Sequence, residues 1–383
     1  VSIAMLVGEN GIITQAQKAK AETEEAERKE KSDLDYMEQY VDRIINGNKG
    51  LNTITGEETT NSIVYDKYGN KVVVPAGFKI INPEDDVTKG IVIEDVNAGD
   101  EYTKGSQFVW IPIGNVYMDE NGSYKTITFG RYSFDAAYSD EEQTVIGSGE
   151  AVLVQKAEDY ADETVSTSGI VALPEYARYK ECLKTTETEN VKAKDLESFI
   201  KKAIESKGYY IGRYEAGDYS AIDTQRTGTE GVSYPNSKVT CKSGVYPYTF
   251  VNQSDASMLS QTMYTSNKFD SDLINSFAWN TALIFIQTFS GDENYAKQTR
   301  LQDSIAKCGE ATDGINKDVR CNIYDMAGNV QEFTTETCIN KGTNTCVLLG
   351  PNYWDIRYFC ANRNYRASLA SREIISFRVV LYL

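Results

Sequence analysis

Cysteine is the residue of this chain best suited to covalent chemistry, and its seven copies occur without any histidine. Because imidazole is missing, a Ser-His-Asp triad, a Cys-His pair and a histidine-ligated zinc site are all excluded. No two cysteines form a C-x-x-C pair, which argues against a zinc ribbon or a thioredoxin-like centre. Any metal site must therefore use oxygen or thiolate ligands, and oxygen ligands suit calcium.

The spacing of the cysteines favours disulfides in an oxidising compartment over free thiols. Cys338 and Cys346 bracket a short polar loop, and Cys308 and Cys321 bracket a longer one. We expect these four residues to form bridges. The odd count leaves one cysteine unpaired, and Cys360, which stands among aromatic residues and arginines, is the expected free thiol.

The stretch IYDMAGNVQEF, residues 323–333, is a candidate metal site. Asp325 and Glu332 flank a turn at Gly328 and Asn329. Two carboxylates and inward-pointing carbonyls could form an oxygen cage for calcium. The alternative is a β-turn between two strands with solvated acids, and the spacing alone favours that alternative.

The segment NYWDIRYFCANRNYR, residues 352–366, has the composition of a binding surface within a tail that spans 350–376. Its rigid aromatic rings supply contact area, its asparagines supply adaptable hydrogen bonds, and its arginines supply charge and stacking. A buried strand, the alternative, would show an alternation that these residues lack. The predicted ligand-binding residues are Asn352, Tyr353, Trp354, Asp355, Arg357, Tyr358, Asn362, Asn364, Tyr365 and Ser368.

The composition of the chain indicates a folded scaffold for these sites. With 383 residues and 41% hydrophobic residues, the chain can bury a sizeable core and is too apolar for general disorder. A net charge of −17 argues against nucleic-acid binding, because phosphate backbones repel an acidic chain. No run of about 18 apolar residues occurs, so the sequence predicts no membrane span.

Strong helix formers without internal Gly or Pro predict one long helix over 14–46. Its first half is polar on nearly all sides, which is typical of a stalk, although a merely solvated helix is the alternative. Its second half carries apolar residues at three- and four-residue steps, so we expect this half to pack on a partner surface. These residues are Leu34, Met37, Tyr40, Val41, Ile44 and Ile45.

Short strands and two helices are predicted after residue 50. The stretches 71–81, 108–114 and 209–217 have strand character. Amphipathic patterns predict helices over 194–208, with Gly208 as the stop, and over 276–289. The polar stretches 217–255 and 290–321 are predicted to be long loops. This pattern indicates an α+β domain rather than a doubly wound sheet.

Five motifs, FVWIPIG, YYIGRYEAG, AWNTALIFI, YDMAGNVQEF and the ending SFRVVLYL with spaced arginines before it, occur in the order found in the formylglycine-generating enzyme family. The chain resembles that family over residues 75–383, with a linker or first strands at 47–74. The resemblance implies a C-type lectin-like fold. It also implies structural calcium at Asp325 and Glu332, with main-chain oxygens of Gly328 and Val330.

The enzymes of that family bind copper through two cysteines five residues apart. The second position matches Cys360, but the first falls on Asp355. One thiolate with one carboxylate is not the soft dithiolate site that Cu(I) prefers. The resemblance therefore implies an inherited fold without catalysis or copper, and a copper-dependent cysteine-oxidising enzyme is the alternative.

The tail also resembles the variable region of proteins that diversity-generating retroelements diversify. In those proteins the variable residues lie just before a terminal strand with a motif like SFRVVL. Regularly placed arginines in the tail resemble scaffold residues that pair with carboxylates under the surface. They are Arg363, Arg366, Arg372 and Arg378.

The start of the chain, VSIAMLVGENGIITQAQKAK, resembles the segment after the apolar half of a type IV pilin helix. This implies a pilin-like helix or stalk at 1–46 that contacts other pilin-like subunits. It also implies membrane contact only through a missing N-terminal apolar segment, and a location on the surface or pilus of a Gram-positive bacterium.

Together these features predict a non-catalytic surface protein that displays a ligand-binding face. Its expected ligand is an unknown protein or glycan on another cell, a phage or a host. A purely structural pilus subunit remains an alternative. A lectin that binds sugar directly through calcium is a weaker one, because the tripeptides EPN and QPD are absent.

Overall fold

The computed structural model describes residues 12–45, 49–160, 179–181, 196–236, 238–310, 318–338, 346–367 and 370–383. The chain divides into two compact units, Val1–Lys49 and Gly50–Leu383. In the first unit the described residues form one long helix. The second unit, which we call the head, holds every strand found in the described ranges.

The helices and strands of the described residues mix along the chain as expected for an α+β protein. The α-helices are α1 (Ile12–Ile45), α2 (Leu196–Ser206), α3 (Gln253–Thr262) and α4 (Ser276–Phe289). Short 3₁₀ helices lie at Leu51–Thr53, Val87–Lys89, Ala157–Asp159, Tyr219–Ala221 and Tyr295–Lys297. The strands are β1 (Ser62–Tyr65), β2 (Lys71–Val74), β3 (Phe78–Ile80), β4 (Val92–Asp95), β5 (Gln107–Pro112), β6 (Gly114–Tyr117), β7 (Tyr124–Ile127), β8 (Gly130–Phe134), β9 (Ala137–Ser139), β10 (Thr144–Ile146), β11 (Ala151–Lys156), β12 (Tyr179–Glu181), β13 (Gly208–Gly212), β14 (Gly217–Asp218), β15 (Val239–Thr240), β16 (Asp270–Leu273), β17 (Val319–Arg320), β18 (Ile323–Tyr324), β19 (Gln331–Cys338), β20 (Cys346–Leu349), β21 (Arg363–Arg366), β22 (Ile375–Phe377) and β23 (Val379–Tyr382).

A six-stranded antiparallel sheet forms the centre of the head, in the order β16-β23-β13-β5-β4-β3. Every residue of β13 is buried, as are all residues of β5 after the first. Such strands are covered on both faces, and α2 contacts β13 while α4 contacts β5. Burial of these Val, Ile, Tyr and Trp side chains is the main source of the stability of the head.

A second sheet carries the tail. Its order is β12-β19-β20-β21, and β22 pairs with β19 in parallel. The C-terminal strand β23 then enters the central sheet between β16 and β13. The tail is therefore anchored on both sides, because β20 precedes it, β22 forms its end and β23 follows it.

The helix α4 packs against the tail. Asn275 caps its N-terminus by accepting a hydrogen bond from the main-chain N–H of Ala278. Ten of its residues are buried, including Trp279, whose indole N–H donates to the main-chain oxygen of Cys360 at 3.2 Å. Gly350 lies against the same ring, where an added Cβ would come within 3.4 Å.

The apolar residues of α1 that were expected to pack on a partner surface are exposed in the single chain, from Val41 at 47% to Ile45 at 75%, and their packing stays a prediction. Two other expectations about helices need correction. The helix α3 was missed, because its Ser- and Gln-rich sequence lacks an apolar stripe, yet Gln253 and Ser257 are buried. Gly208 does not end α2: Lys207 takes the left-handed conformation with φ 58, and Gly208 begins β13 against the ring of Trp110.

The predicted bridge of Cys308 and Cys321 is wrong, because both are free thiols. Cys308 Sγ lies 3.6 Å from the main-chain oxygen of Glu215, and Cys346 Sγ donates to Gln253 Oε1 at 2.8 Å. These thiols therefore have separate polar partners. The side chain of Cys338 lies outside the described residues. Cys360 is a free thiol, as predicted.

Within the described ranges, no helix combines the length and the apolar character that a membrane crossing requires.

Candidate functional site

A tight turn of four residues shapes the start of the tail. The side-chain oxygen of Asn352 accepts hydrogen bonds from the main-chain N–H groups of Trp354 (3.2 Å) and Asp355 (2.9 Å). Asp355 in turn accepts from the guanidinium of Arg357, at 2.9 Å from Nε and 2.6 Å from Nη2. Both Asn352 and Asp355 are buried. Their role is to fix the turn, which corrects their prediction as ligand contacts.

The turn holds two side chains out into solvent. Trp354 is 54% exposed, and the side chain of Arg357 is 58% exposed. Tyr353 and Tyr358 are half-buried beside them. An exposed indole next to a guanidinium held by its carboxylate is a typical protein contact site, since both are frequent at binding hot spots.

The strand β21 continues the tail. Asn362 and Tyr365 are half-buried, whereas Asn364 is buried. The oxygen of the Asn364 side chain accepts from the main-chain N–H of Tyr365 and from Arg366 Nη1. The buried side chain of Asn364 therefore stabilises the strand, contrary to its prediction as a ligand contact. Ser368, also predicted as a ligand contact, lies outside the described residues.

The scaffold role predicted for the arginines holds best for the two buried ones. Arg363 pairs with Glu336 at 3.3 Å, and Arg378 pairs with Glu332 at 2.6 Å. Arg372 forms a more exposed pair with Glu230 at 3.6 Å. The two buried pairs lock β21 and the terminal segment onto β19, since breaking a buried pair leaves an uncompensated charge.

Cys360 and Asp355, the positions that match the family's copper-binding cysteines, have different roles here. Cys360 is fully buried, and burial raises the pKa of its thiol well above the ordinary value. Its main-chain N–H donates to the oxygen of Gln298 at 2.9 Å. Asp355 is held by Arg357. A protonated, buried thiol and a guanidinium-paired carboxylate do not form a soft dithiolate site.

Of the two carboxylates predicted to bind calcium, Glu332 is buried and Asp325 is half-buried. Asp325 Oδ2 accepts from the main-chain N–H of Gly309 at 3.0 Å, and both oxygens of Glu332 accept from Arg378. Glu215, which the sequence reading did not single out, accepts from Val330 N–H at 3.2 Å. Burial, reinforced by the charges of Asp325 and Glu332, raises the pKa of Glu215 well above its usual value.

Some contacts in this arrangement count against the predicted calcium site. Glu332 is neutralised by Arg378, and the main-chain N–H of Val330 points to Glu215. Across the described ranges, no three acidic or cysteine side chains are grouped so that they could hold a metal ion. The turn of Gly328 and Asn329 instead serves packing, because the Asn329 amide donates to Glu215 Oε2 at 2.7 Å. Calcium binding stays an untested prediction.

Among the exposed apolar side chains of the head outside the tail, three lie in or beside segments that contact the tail. Leu301 is 50% exposed, Val232 is 44% exposed and Tyr234 is 41% exposed. They lie in the segments that the sequence assigned only as long polar loops. In the sequence, each of these residues appears only as an isolated apolar residue within a polar loop. Such residues are too common on protein surfaces to identify a site.

Comparisons with known proteins place this chain only coarsely. The fold defines a mixed α+β protein. No protein family matches the chain, and no curated protein does. The structure of CarF is similar with 16% identity and a TM-score of 0.32, over 46% of this chain and 87% of CarF. The structure of PvdO from Pseudomonas aeruginosa is similar with 15% identity and a TM-score of 0.29, over 46% of this chain and 82% of PvdO. Likenesses this weak carry no argument about function.

Proposed function

We propose that this protein is a non-catalytic recognition protein that binds a ligand through the exposed side chains of its tail. The observation that carries the proposal is that residues 352–366 separate into exposed side chains and buried side chains that fix the backbone. Trp354 and Arg357 point into solvent, while Asn352, Asp355 and Asn364 are buried. Side chains that are held in place before binding lose little conformational entropy on binding, which supports affinity.

The same division supports diversification of the tail. Exposed residues on a turn between fixed strands can change without disturbing the core, because β20 and β22 are anchored through β19. We therefore propose a C-type lectin-like head of the formylglycine-generating type whose exposed tail positions a retroelement varies. The proposal rests on the sequence motifs and on this anchoring.

The long helix suits a display role. Thirty-four residues of α1 form one continuous helix, and at about 1.5 Å per residue such a helix is about 50 Å long. We propose that it is the stalk of a pilin-like protein on the surface or pilus of a Gram-positive bacterium. Its ligand would be a protein or glycan on another cell, a phage or a host.

Sequencing of the gene within one bacterial population tests this function. We expect substitutions confined to codons of the tail, concentrated on the exposed positions 354 and 357 and the half-buried positions 353 and 358. We also expect them to fall at adenine positions of a nearby template copy that accompanies a reverse transcriptase. A uniform tail without a template copy would rule out diversification and leave an ordinary surface adhesin.

The rival function is copper-dependent oxidation of a cysteine. The buried thiol of Cys360 and the Asp355–Arg357 pair argue against it. Oxidation of a cysteine peptide by the purified protein with copper would restore this rival. A purely structural fibre subunit is the other rival, and it would gain support if residues 352–366 were protected from solvent in assembled fibres.

A further inference from the structure

We propose that the outer edge of β11 pairs with the same edge of a second copy of this chain, through an antiparallel contact between the two β11 strands. The inference goes beyond the proposed function and does not depend on it. Residues 150–156 read EAVLVQK, with an acid at one end, a base at the other and Leu153 at the centre.

The strand β11 lies at the edge of a long hairpin formed by residues 130–156. At the base of the hairpin β11 pairs with β8, from Ala151 opposite Phe134 to Lys156 opposite Gly130. Farther out, β10 pairs with β9. Among the described residues, no strand pairs with the other edge of β11. That edge therefore offers main-chain N–H and C=O groups to a further strand.

The main-chain groups at the centre of β11 point away from β8. The main-chain N–H of Asp135 donates to the oxygen of Glu150 at 2.8 Å, so these two residues form a hydrogen-bonded pair. In an antiparallel ladder, hydrogen-bonded pairs alternate with pairs whose main-chain groups face outwards. The main-chain groups of Ala151 and Leu153 consequently point to the outer edge.

The side chains along this edge are apolar and exposed. Val152 is 58% exposed and Leu153 is 37% exposed, and residues 151–154 carry no charge. Charged side chains are a common means by which edge strands avoid pairing with other chains. An uncharged, exposed edge is instead suited to the addition of another strand.

The ladder between two copies is expected to be short. A register shift between Leu153 and Gln155 bends β11, so close pairing is limited to the residues around Leu153. Such a contact buries less than the roughly 1,200 Å² of a standard interface. The dimer should therefore be weak and form only at high protein concentration.

The charges of β11 favour a second copy as the added strand. When two copies pair about a twofold axis at Leu153, Glu150 of each copy lies opposite the partner's Lys156, which gives two ion pairs. Both side chains are exposed. Within its own chain Lys156 pairs with Glu158 at 3.3 Å, and both side chains are at least half exposed. Such an exposed pair contributes little, so Lys156 is available to a partner.

A cleft at the start of β11 adds a second carboxylate for the incoming lysine. The cleft has a volume of about 760 Å³, and its lining includes Glu150, Ala151 and Glu293. Lys125 is the one cation of this lining, and its ammonium group donates to the main-chain oxygen of Thr288 at 3.0 Å. With two carboxylates and one lysine, the cleft lacks one positive charge, which the partner's Lys156 would supply.

The antiparallel direction limits repulsion between two acidic chains. Each copy carries a net charge of −17, and the tip of the hairpin, residues 140–142, is acidic. Antiparallel pairing of β11 places the two tips at opposite ends of the contact. Exposed charges farther apart than about 8 Å are largely screened at physiological salt, whereas the Glu150–Lys156 pairs are in contact.

Sedimentation velocity of the full-length protein over a wide concentration range tests the inference. We expect a concentration-dependent dimer that Glu150→Lys and Lys156→Glu each weaken at least tenfold, because each substitution places like charges opposite each other twice. The double variant should recover the dimer, as should an equimolar mixture of the two single variants. Glu101→Lys is the matched control, since it makes the same charge change at an exposed residue between β4 and β5.

Three results would overturn the inference. The first is a native protein that stays monomeric at its highest soluble concentration. The second is a dimer that both single substitutions leave unchanged, and the third is a loss in both that the double variant does not reverse. Hydrogen–deuterium exchange gives an independent readout, because the N–H groups of Ala151 and Leu153 should exchange more slowly in the dimer. Unchanged exchange there would also contradict the contact, and circular dichroism checks that each variant is folded.

Discussion

At the scale of single residues, the tail separates into side chains that are exposed to solvent and side chains that hold the backbone. Trp354 and Asn352 are two residues apart, but one is 54% exposed and the other fully buried. The sequence predicted both as ligand contacts, because composition does not reveal which way a side chain points. Only the hydrogen bonds of Asn352 to the following main chain assign it to the scaffold.

These roles predict opposite effects of substitution. Asn352→Ala removes the acceptor of two main-chain N–H groups in a buried turn and should lower the free energy of unfolding by about 1–3 kcal/mol. Trp354→Ala should change it by less than about 0.5 kcal/mol, since it alters an exposed side chain. Urea denaturation measures both changes. Equal destabilisation by the two substitutions would contradict the assignment.

At the scale of elements, the regular part of the head was predictable. The helix expected at 276–289 is α4 with the same bounds, because its apolar residues and its Asn cap act locally. Strands were found where alternation predicted them, although Pro75 to Gly77 split the stretch 71–81 into β2 and β3. Other features depend on residues that are distant in the sequence, so no local pattern predicts them. They are the polar helix α3, the contacts of Glu215 and the exposure of Leu301.

One close contact between elements gives a sharp prediction. Gly90 has φ 81, and an added Cβ would lie 2.1 Å from the main-chain oxygen of Cys321 in the turn between β17 and β18. Asn322 of the same turn donates to the oxygen of Gly90 at 2.9 Å. Gly90→Ala should therefore destabilise the head by more than about 1 kcal/mol, through backbone strain and a clash with backbone atoms.

Gly122→Ala is the matched control. Gly122 has φ 80, but nothing lies within 4 Å of an added Cβ. It shares the strain of Gly90 without the clash, so the difference between the two variants in thermal unfolding measures the contact alone. If both variants lost the same stability, the packing of the turn against Gly90 would not be as described.

At the scale of the whole molecule, the chain consists of two compact units, and Gly50–Leu383 contains the central sheet and the tail. A truncated protein that begins at Gly50 should therefore fold, with a melting temperature within a few degrees of the full chain. Differential scanning calorimetry of the two proteins tests this. A head that unfolds at a much lower temperature would mean that α1 stabilises it.

The truncated head also bears on function. If the tail alone recognises the ligand, the head should bind that ligand as tightly as the full chain does. Weaker binding by the head would assign part of the recognition to residues 1–49.

The uneven burial of the three tryptophans has an optical consequence. Trp110 and Trp279 are fully buried, and Trp354 is 54% exposed. The two enclosed indoles should emit at short wavelength and resist quenching by iodide, whereas Trp354 should supply the red-shifted, quenchable part of the fluorescence. A ligand that covers the tail would remove that part, so the native protein carries its own reporter of occupancy without any label.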